Sequence, residues 1–223
     1  MIYFCPIHGQ WFECFSTGNP KYNGHLSFSH TRAETTDQTI IDKWNTVPIP
    51  PAPELKSVAV DPKTSALLIL DMENSICKSP RCIGSIPNIY NLLTKARKNQ
   101  MLVVYSLIPS GNPEDIFKQL APLPKDPIVK SNVDKFYKTN LEEILQAKGI
   151  KTVIITGYAA NGAVLHTATS AAFRGFNVIV PVDSMSANNL YPEQYTAWHM
   201  LNSPGTRNRA VITKVNLIRF SPS

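Results

Sequence analysis

The stretch VIITGYAANGAVLHTATSAAFRGFNVIVPVD, residues 153–183, gives the clearest indication of the fold class. It opens with an apolar run, passes through a turn of small residues, continues at helical spacing and closes on a second apolar run. An apolar run without alternation is typical of a strand that is buried on both faces of a parallel sheet. A strand, a helix and a strand in this order predict a βαβ unit.

The same alternation continues on both sides of this unit. We predict strands at 66–70, 101–107, 153–156, 178–182 and 210–213, and helices at 86–99, 141–148, 162–174 and 190–202. This order predicts an α/β fold, a three-layer α/β/α sandwich around a mostly parallel, Rossmann-like sheet. Residues 61–223 form the predicted domain. Residues 1–60 form a predicted irregular N-terminal arm with a Pro-rich segment, PIPPAP.

Composition limits the classes of partner and the compartment. The 223 residues carry a formal net charge of +6 with scattered basic residues, so no nucleic-acid footprint is expected. No apolar run approaches the ~20 residues that span a bilayer, and the first residues lack the basic start of a signal peptide. We therefore predict a cytoplasmic protein with a small-molecule ligand and no nucleic-acid or membrane partner. Its cysteines are then predicted to be thiols, at Cys5, Cys14, Cys77 and Cys82.

Ligands of parallel sheets bind beyond the carboxyl ends of the strands, so the residues there are the candidates. Asp71 ends the apolar run 66–70, where it is either a partly desolvated carboxylate or a helix cap. Lys130 follows an apparent strand and is either a partner for Asp71 or a solvated surface charge. The turn 158–163 either presents backbone amides to an anion or is a tight packing turn.

These segments together resemble the isochorismatase-like hydrolase family. ALLILDMEN, residues 66–74, is similar to the family's first strand and its catalytic aspartate, which implies that role for Asp71. IVKSNVDKFYKTNL, residues 128–141, implies that Lys130 is the catalytic lysine, with Phe136 and Thr139 as structural companions. Residues 153–184 resemble the nucleophile turn and imply a cis peptide bond at Tyr158–Ala159. The resemblance covers residues 62–215 and implies a dimer or tetramer.

The chain departs from that pattern at one position. The resemblance places the cysteine nucleophile at residue 163, which is Ala163, and a methyl group cannot attack a carbonyl. His166 and Thr167 are poor substitutes, and Cys77 is either a relocated nucleophile or a small buried residue. The resemblance implies a ligand site and no metal or cofactor. The predicted ligand contacts are Tyr158, Ala159, Ala160, Asn161, Gly162, Cys77 and Phe136.

Three functions follow from these residues. The first is an enzyme that acts on a small acidic or amide-containing metabolite without a cysteine, through Asp71 and Lys130. In the family, isochorismatases proper cleave a vinyl ether by protonation with a glycine at the nucleophile position, which makes such chemistry compatible with Ala163. The second is a non-catalytic metabolite-binding or assembly protein. The third is an engineered Cys→Ala substrate trap of a cysteine amidohydrolase.

Overall fold

The computed structural model describes residues 2–5, 10–13 and 38–221, and it divides the chain into two units, Met1–Pro48 and Ile49–Ser223. The first unit contains β1 (Ile2–Cys5), which pairs antiparallel with β2 (Gln10–Glu13). The expectation of a wholly irregular arm is therefore wrong for these residues. Strands of four residues are too short to show a clear alternation in the sequence.

The second unit is built around a parallel sheet. Its strands are β3 (Val58–Val60), β4 (Ser65–Leu70), β5 (Leu102–Leu107), β6 (Ile128–Lys130), β7 (Thr152–Tyr158), β8 (Asn177–Pro181), β9 (Met185–Ser186), β10 (Ala210–Thr213) and β11 (Ile218–Phe220). Its α-helices are α1 (Pro80–Lys98), α2 (Leu141–Ala147), α3 (Leu165–Phe173) and α4 (Leu190–Asn202). The strand order of the main sheet is β10-β8-β7-β4-β5-β6, and β9 pairs with β7. Every pair in this sheet is parallel, which confirms the predicted fold class.

Apolar side chains of the central strand β4 point alternately into two cores, one on each face of the sheet. Leu67 and Ile69 pack in the core that holds the buried residues of α1. Leu68 and Leu70 pack in the core that holds those of α2, α3 and α4. Since β4 is buried on both faces, its sequence is a continuous apolar run rather than an alternating one.

The Pro-rich segment belongs to the second unit from Ile49 onward, so this unit begins before the predicted boundary at residue 61. The amide of Lys56 donates to the carbonyl of Ile212 on the edge strand β10. Two residues later β3 begins, and it pairs in parallel with β11 in a separate two-stranded sheet. Within the described residues, no helix is both long enough and apolar enough to cross a membrane.

Candidate active site at the carboxyl edge of the sheet

Strand register brings the candidate residues to one edge of the sheet. Leu70, the last residue of β4, lies opposite Ser106 on β5 and opposite Gly157 on β7. Asp71 follows directly, and its φ of 50° turns the chain away from the strand direction. The loop after β6 and the turn after β7 leave from the same edge, because all these strands are parallel. Asp71 therefore lies between the two segments that the resemblance singles out.

The Asp71 carboxylate has a partner on each oxygen. The Ser106 hydroxyl donates to Oδ1 at 2.6 Å, and the Lys135 ammonium lies 2.7 Å from Oδ2. Asp71 is 5% exposed, so this ion pair is largely withdrawn from water. Burial raises the pKa of the Asp71 carboxyl above its ordinary value, and Lys135 and Ser106 oppose this effect without reversing it.

Lys135, and not Lys130, is the lysine that pairs with Asp71. Lys130 is exposed at the end of the edge strand β6, opposite Leu107, and β5 separates β6 from β4. Two strand spacings amount to about 10 Å, which accounts for the missing contact. The predicted contact between Lys130 and Asp71 is therefore wrong. Lys135 lies in the loop that follows β6, and the fold buries it completely.

Backbone carbonyls and two threonines hold Lys135 in this position. Its ammonium also donates to the carbonyls of Ser131 and Asn132. Its amide donates to the Thr167 hydroxyl on α3 at 3.1 Å, and the Thr139 hydroxyl donates to its carbonyl. The side-chain ammonium therefore has three oxygen partners, which is the full number of its protons. The role of Thr139 as a structural companion fits this arrangement.

The turn after β7 takes the conformation that the resemblance implied. The Tyr158–Ala159 peptide bond is cis, which confirms that prediction. Gly157 has a φ of 119°, and a Cβ atom at this position would lie 2.0 Å from the carbonyl oxygen of Leu70. Glycine is thus required for β7 to run this close to β4. The chain then forms an irregular helical turn, Ala160–Val164, before α3 begins.

Side chains in this turn are small, and they differ in exposure. Ala163 is 3% exposed and Ala160 is buried, whereas Asn161 is exposed and Gly162 is intermediate. The Tyr158 hydroxyl donates to the Asn188 side chain at 2.7 Å. A ligand at this turn would therefore meet backbone groups, methyl groups and the amide of Asn161.

Glu73 is a second buried carboxyl next to the site, and the sequence analysis missed it. It is fully buried, and its Oε2 accepts from the amide of Ile108 at 2.9 Å. Its Oε1 has no hydrogen-bond partner among the described residues, and it lies where a Cβ of Gly111 would be. Burial raises the pKa of the Glu73 carboxyl, and the nearby Asp71 raises it further. The position of Glu73, two residues after Asp71, was the available signal.

Two predicted ligand contacts do not have the role that the sequence predicts. Phe136 is 5% exposed and stacks on Phe176 with ring centroids 6.1 Å apart, so it is a core residue and not part of a ligand surface. Cys77 forms a disulfide with Cys82, so the prediction of free thiols at both positions is wrong. Cys77 therefore offers no thiol as a relocated nucleophile.

Comparison with known proteins identifies the family. The isochorismatase domain matches residues 65–214, a range that includes Asp71, Lys135 and the turn with Ala163. The chain belongs to the isochorismatase family. The family assignment accounts for the parallel α/β sheet.

The proteins that this chain is similar to have diverse names. A secreted isochorismatase effector from Verticillium dahliae is 32% identical over 141 residues, which cover 56% of this chain and 74% of that protein. An N-carbamoylsarcosine amidase from Arthrobacter is 33% identical over 106 residues, 44% of this chain and 40% of that protein. The solved structure of the N-carbamoylsarcosine amidase from Thermoplasma acidophilum has a TM-score of 0.61 at 23% identity. The match covers 69% of this chain and 97% of that amidase chain, so the two proteins share the fold.

Proposed function

We propose that this isochorismatase-family chain is an enzyme that cleaves a C–N or C–O bond in a small acidic or amide-containing metabolite without a cysteine nucleophile. The observation that carries the proposal is the buried ion pair of Asp71 and Lys135, next to a turn that offers Ala163 where the family resemblance places the nucleophile. The names of two relatives, both N-carbamoylsarcosine amidases, favour an amide.

Asp71 is the acid/base group in this proposal. In the hydrolysis of an amide, its carboxylate accepts a proton from a water molecule as the water oxygen bonds to the carbonyl carbon. Asp71 then returns that proton to the leaving nitrogen as the C–N bond breaks, so the carboxylate is regenerated. A raised pKa suits both steps, because a base that titrates nearer to the working pH accepts and returns a proton more readily.

Lys135 and Ser106 position that carboxylate. Each bonds one oxygen of Asp71, which fixes the plane of the carboxyl group. The positive charge of Lys135 also lowers the energy of negative charge that develops on a nearby oxygen in the transition state. Because Lys135 is bound by backbone carbonyls as well, its ammonium is already in place before a substrate arrives.

Substrate turnover followed by NMR tests the proposal. The protein is incubated with isochorismate and with a panel of small amides and ureido acids, beside Asp71→Asn, Lys135→Met and Ala163→Cys. We expect turnover that Asp71→Asn and Lys135→Met abolish and that Lys130→Met retains, since Lys130 is exposed and makes no contact with Asp71. Turnover by Ala163→Cys alone would refute a cysteine-independent enzyme.

A metabolite-binding protein is the second candidate, and one observation favours it. Asp71 and Lys135 satisfy each other almost completely, as an ion pair with a purely structural role would do. This function predicts saturable binding by the unmodified protein, without turnover of any compound in the panel. Isothermal titration with the same panel separates the two candidates.

A further inference from the structure

A disulfide lies beside the candidate site and was not expected from the sequence. Cys77 and Cys82 are bonded, with Cα atoms 5.5 Å apart, a spacing typical of native disulfides. Both residues are buried, at 1% and 0% exposure. The bond closes a loop of only a few residues, because the two cysteines are five positions apart in the sequence.

The disulfide connects a turn that begins at Glu73 to the start of α1. The amide of Cys77 donates to the carbonyl of Glu73 at 2.9 Å, so Cys77 ends the turn 73–77, which starts two residues after Asp71. Cys82 lies in the first turn of α1, where its amide donates to the hydroxyl of the capping residue Ser79. Both cysteines pack in the core that contains the α1 side chains. The bond therefore joins the turn 73–77, which begins two residues after Asp71, to a helix that is anchored in the core.

We propose that Cys77–Cys82 is a native oxidative modification site that stabilises the turn 73–77 beside Asp71, and that the chain matures under oxidising conditions. The oxidant is a disulfide compound, either a small molecule or a protein dithiol in its oxidised form. One cysteine thiolate attacks that disulfide and forms a mixed disulfide, which releases the first thiol of the oxidant. The second cysteine thiolate displaces the remaining thiol, so the protein loses two electrons and two protons and the oxidant gains both.

Burial makes the bond persistent once it has formed. Thiol–disulfide exchange requires an attacking thiolate to reach a sulfur atom, and these sulfur atoms belong to residues with almost no exposed surface. Disulfides persist in oxidising compartments and are rare in the cytosol. The sequence predicts a cytoplasmic protein in which all four cysteines are thiols. The proposal instead places the protein under oxidising conditions, with Cys77 and Cys82 bonded.

Thiol counting is the first test, in a Cys5→Ser/Cys14→Ser background in which only Cys77 and Cys82 remain. Protein prepared without reductant is unfolded in iodoacetamide and weighed by mass spectrometry. We expect no alkylated cysteine without reductant, and two after reduction in denaturant. We also expect the folded protein to resist a concentration of dithiothreitol that reduces the unfolded chain. Two alkylated cysteines in the unreduced sample would overturn the proposal.

Thermal unfolding tests the stabilising role. The oxidised protein is compared with the same sequence kept reduced, so that no side-chain volume changes between the samples. Loop closure of this length predicts a midpoint about 4–8 °C lower for the reduced form. Equal midpoints would refute a stabilising bond. We also expect turnover to fall when the disulfide is reduced. This expectation alone rests on the proposed function, because the thiol count and the thermal unfolding midpoint are measured without a substrate.

Discussion

Replacement of Lys135 by Met should make the stability of the protein strongly dependent on pH. Met has nearly the length of the lysine stem, but it leaves the Asp71 carboxylate buried without its cation. Removing one partner of a buried ion pair costs about 3–5 kcal/mol. The variant can avoid part of this cost by protonating Asp71, whose pKa then rises further above the ordinary value of 3.8.

The size of the pH effect follows from that protonation. A carboxyl with a raised pKa binds its proton more tightly in the folded state, so its contribution to stability is complete below the unfolded pKa and is lost as the pH rises through the folded pKa. Keeping Asp71 protonated costs about 1.36 kcal/mol for each pH unit above 3.8, which is about 4.35 kcal/mol near pH 7 and about 1.63 kcal/mol near pH 5. The penalty of Lys135→Met should therefore shrink by up to about 2.7 kcal/mol between those two pH values.

Urea denaturation at several pH values measures this penalty. Lys130→Met is the matched control, because it removes an exposed lysine five residues away and should change the free energy of unfolding by less than about 0.5 kcal/mol. In the Asp71→Asn/Lys135→Met double variant the additional pH dependence should disappear, since no carboxyl remains to titrate. A penalty of Lys135→Met that is the same at pH 5 and pH 7 would show that Asp71 does not take up a proton when Lys135 is absent.

Three further substitutions test neighbouring contacts. Ser106→Ala removes a donor to the charged carboxylate and should cost about 1.5–3 kcal/mol, and it should raise the pKa of Asp71 so that the acid limb of the pH–rate profile moves to higher pH. Glu73→Gln removes a buried carboxyl with a raised pKa. The free energy of unfolding, measured with urea, should therefore decline less steeply as the pH rises above 4.5. An unchanged decline would contradict a raised pKa for Glu73. Gly157→Ala would place a Cβ against the Leu70 carbonyl at a positive φ and should destabilise the fold by at least about 1–3 kcal/mol, whereas thermal unfolding at the parent midpoint would exclude this packing.

The sheet and most of its helices could be predicted from the sequence because their signals are local. The apolar run of β4 and the periodicity of α4 both depend on neighbouring residues, and the predicted limits of α4, 190–202, agree with the structure. The start of α1 was predicted six residues too late, although Ser79 followed by Pro80 is an ordinary helix start. The three-residue strands β3 and β11 could not be predicted, since each is defined by a partner that is distant in the sequence.

Some residues of the candidate site could also be predicted from the sequence, and others could not. Asp71 and the turn at 158–163 could be located because a strand end and a small-residue turn leave a local pattern. Lys135 could not, since nothing around a lysine in a loop indicates that it will be buried; its burial depends on Asp71, which is far away in the sequence, and on carbonyls that only the folded loop directs at it. The disulfide could not be predicted either, because a cytoplasmic protein is expected to keep free thiols and the sequence gives no distance between Cys77 and Cys82.

Lys135 and Ala163 bear on the proposed function together. Residue 163 offers no thiolate, so the proposed chemistry depends on how Asp71 itself exchanges a proton. That exchange is set by opposing effects, burial on one side and Lys135 with Ser106 on the other. Because Lys135 is fixed by the backbone rather than by solvent, this balance is a property of the fold. The cleavage reaction and the pH dependence of stability should therefore respond to the same substitutions, and a variant that changes one without the other would separate a catalytic ion pair from a structural one.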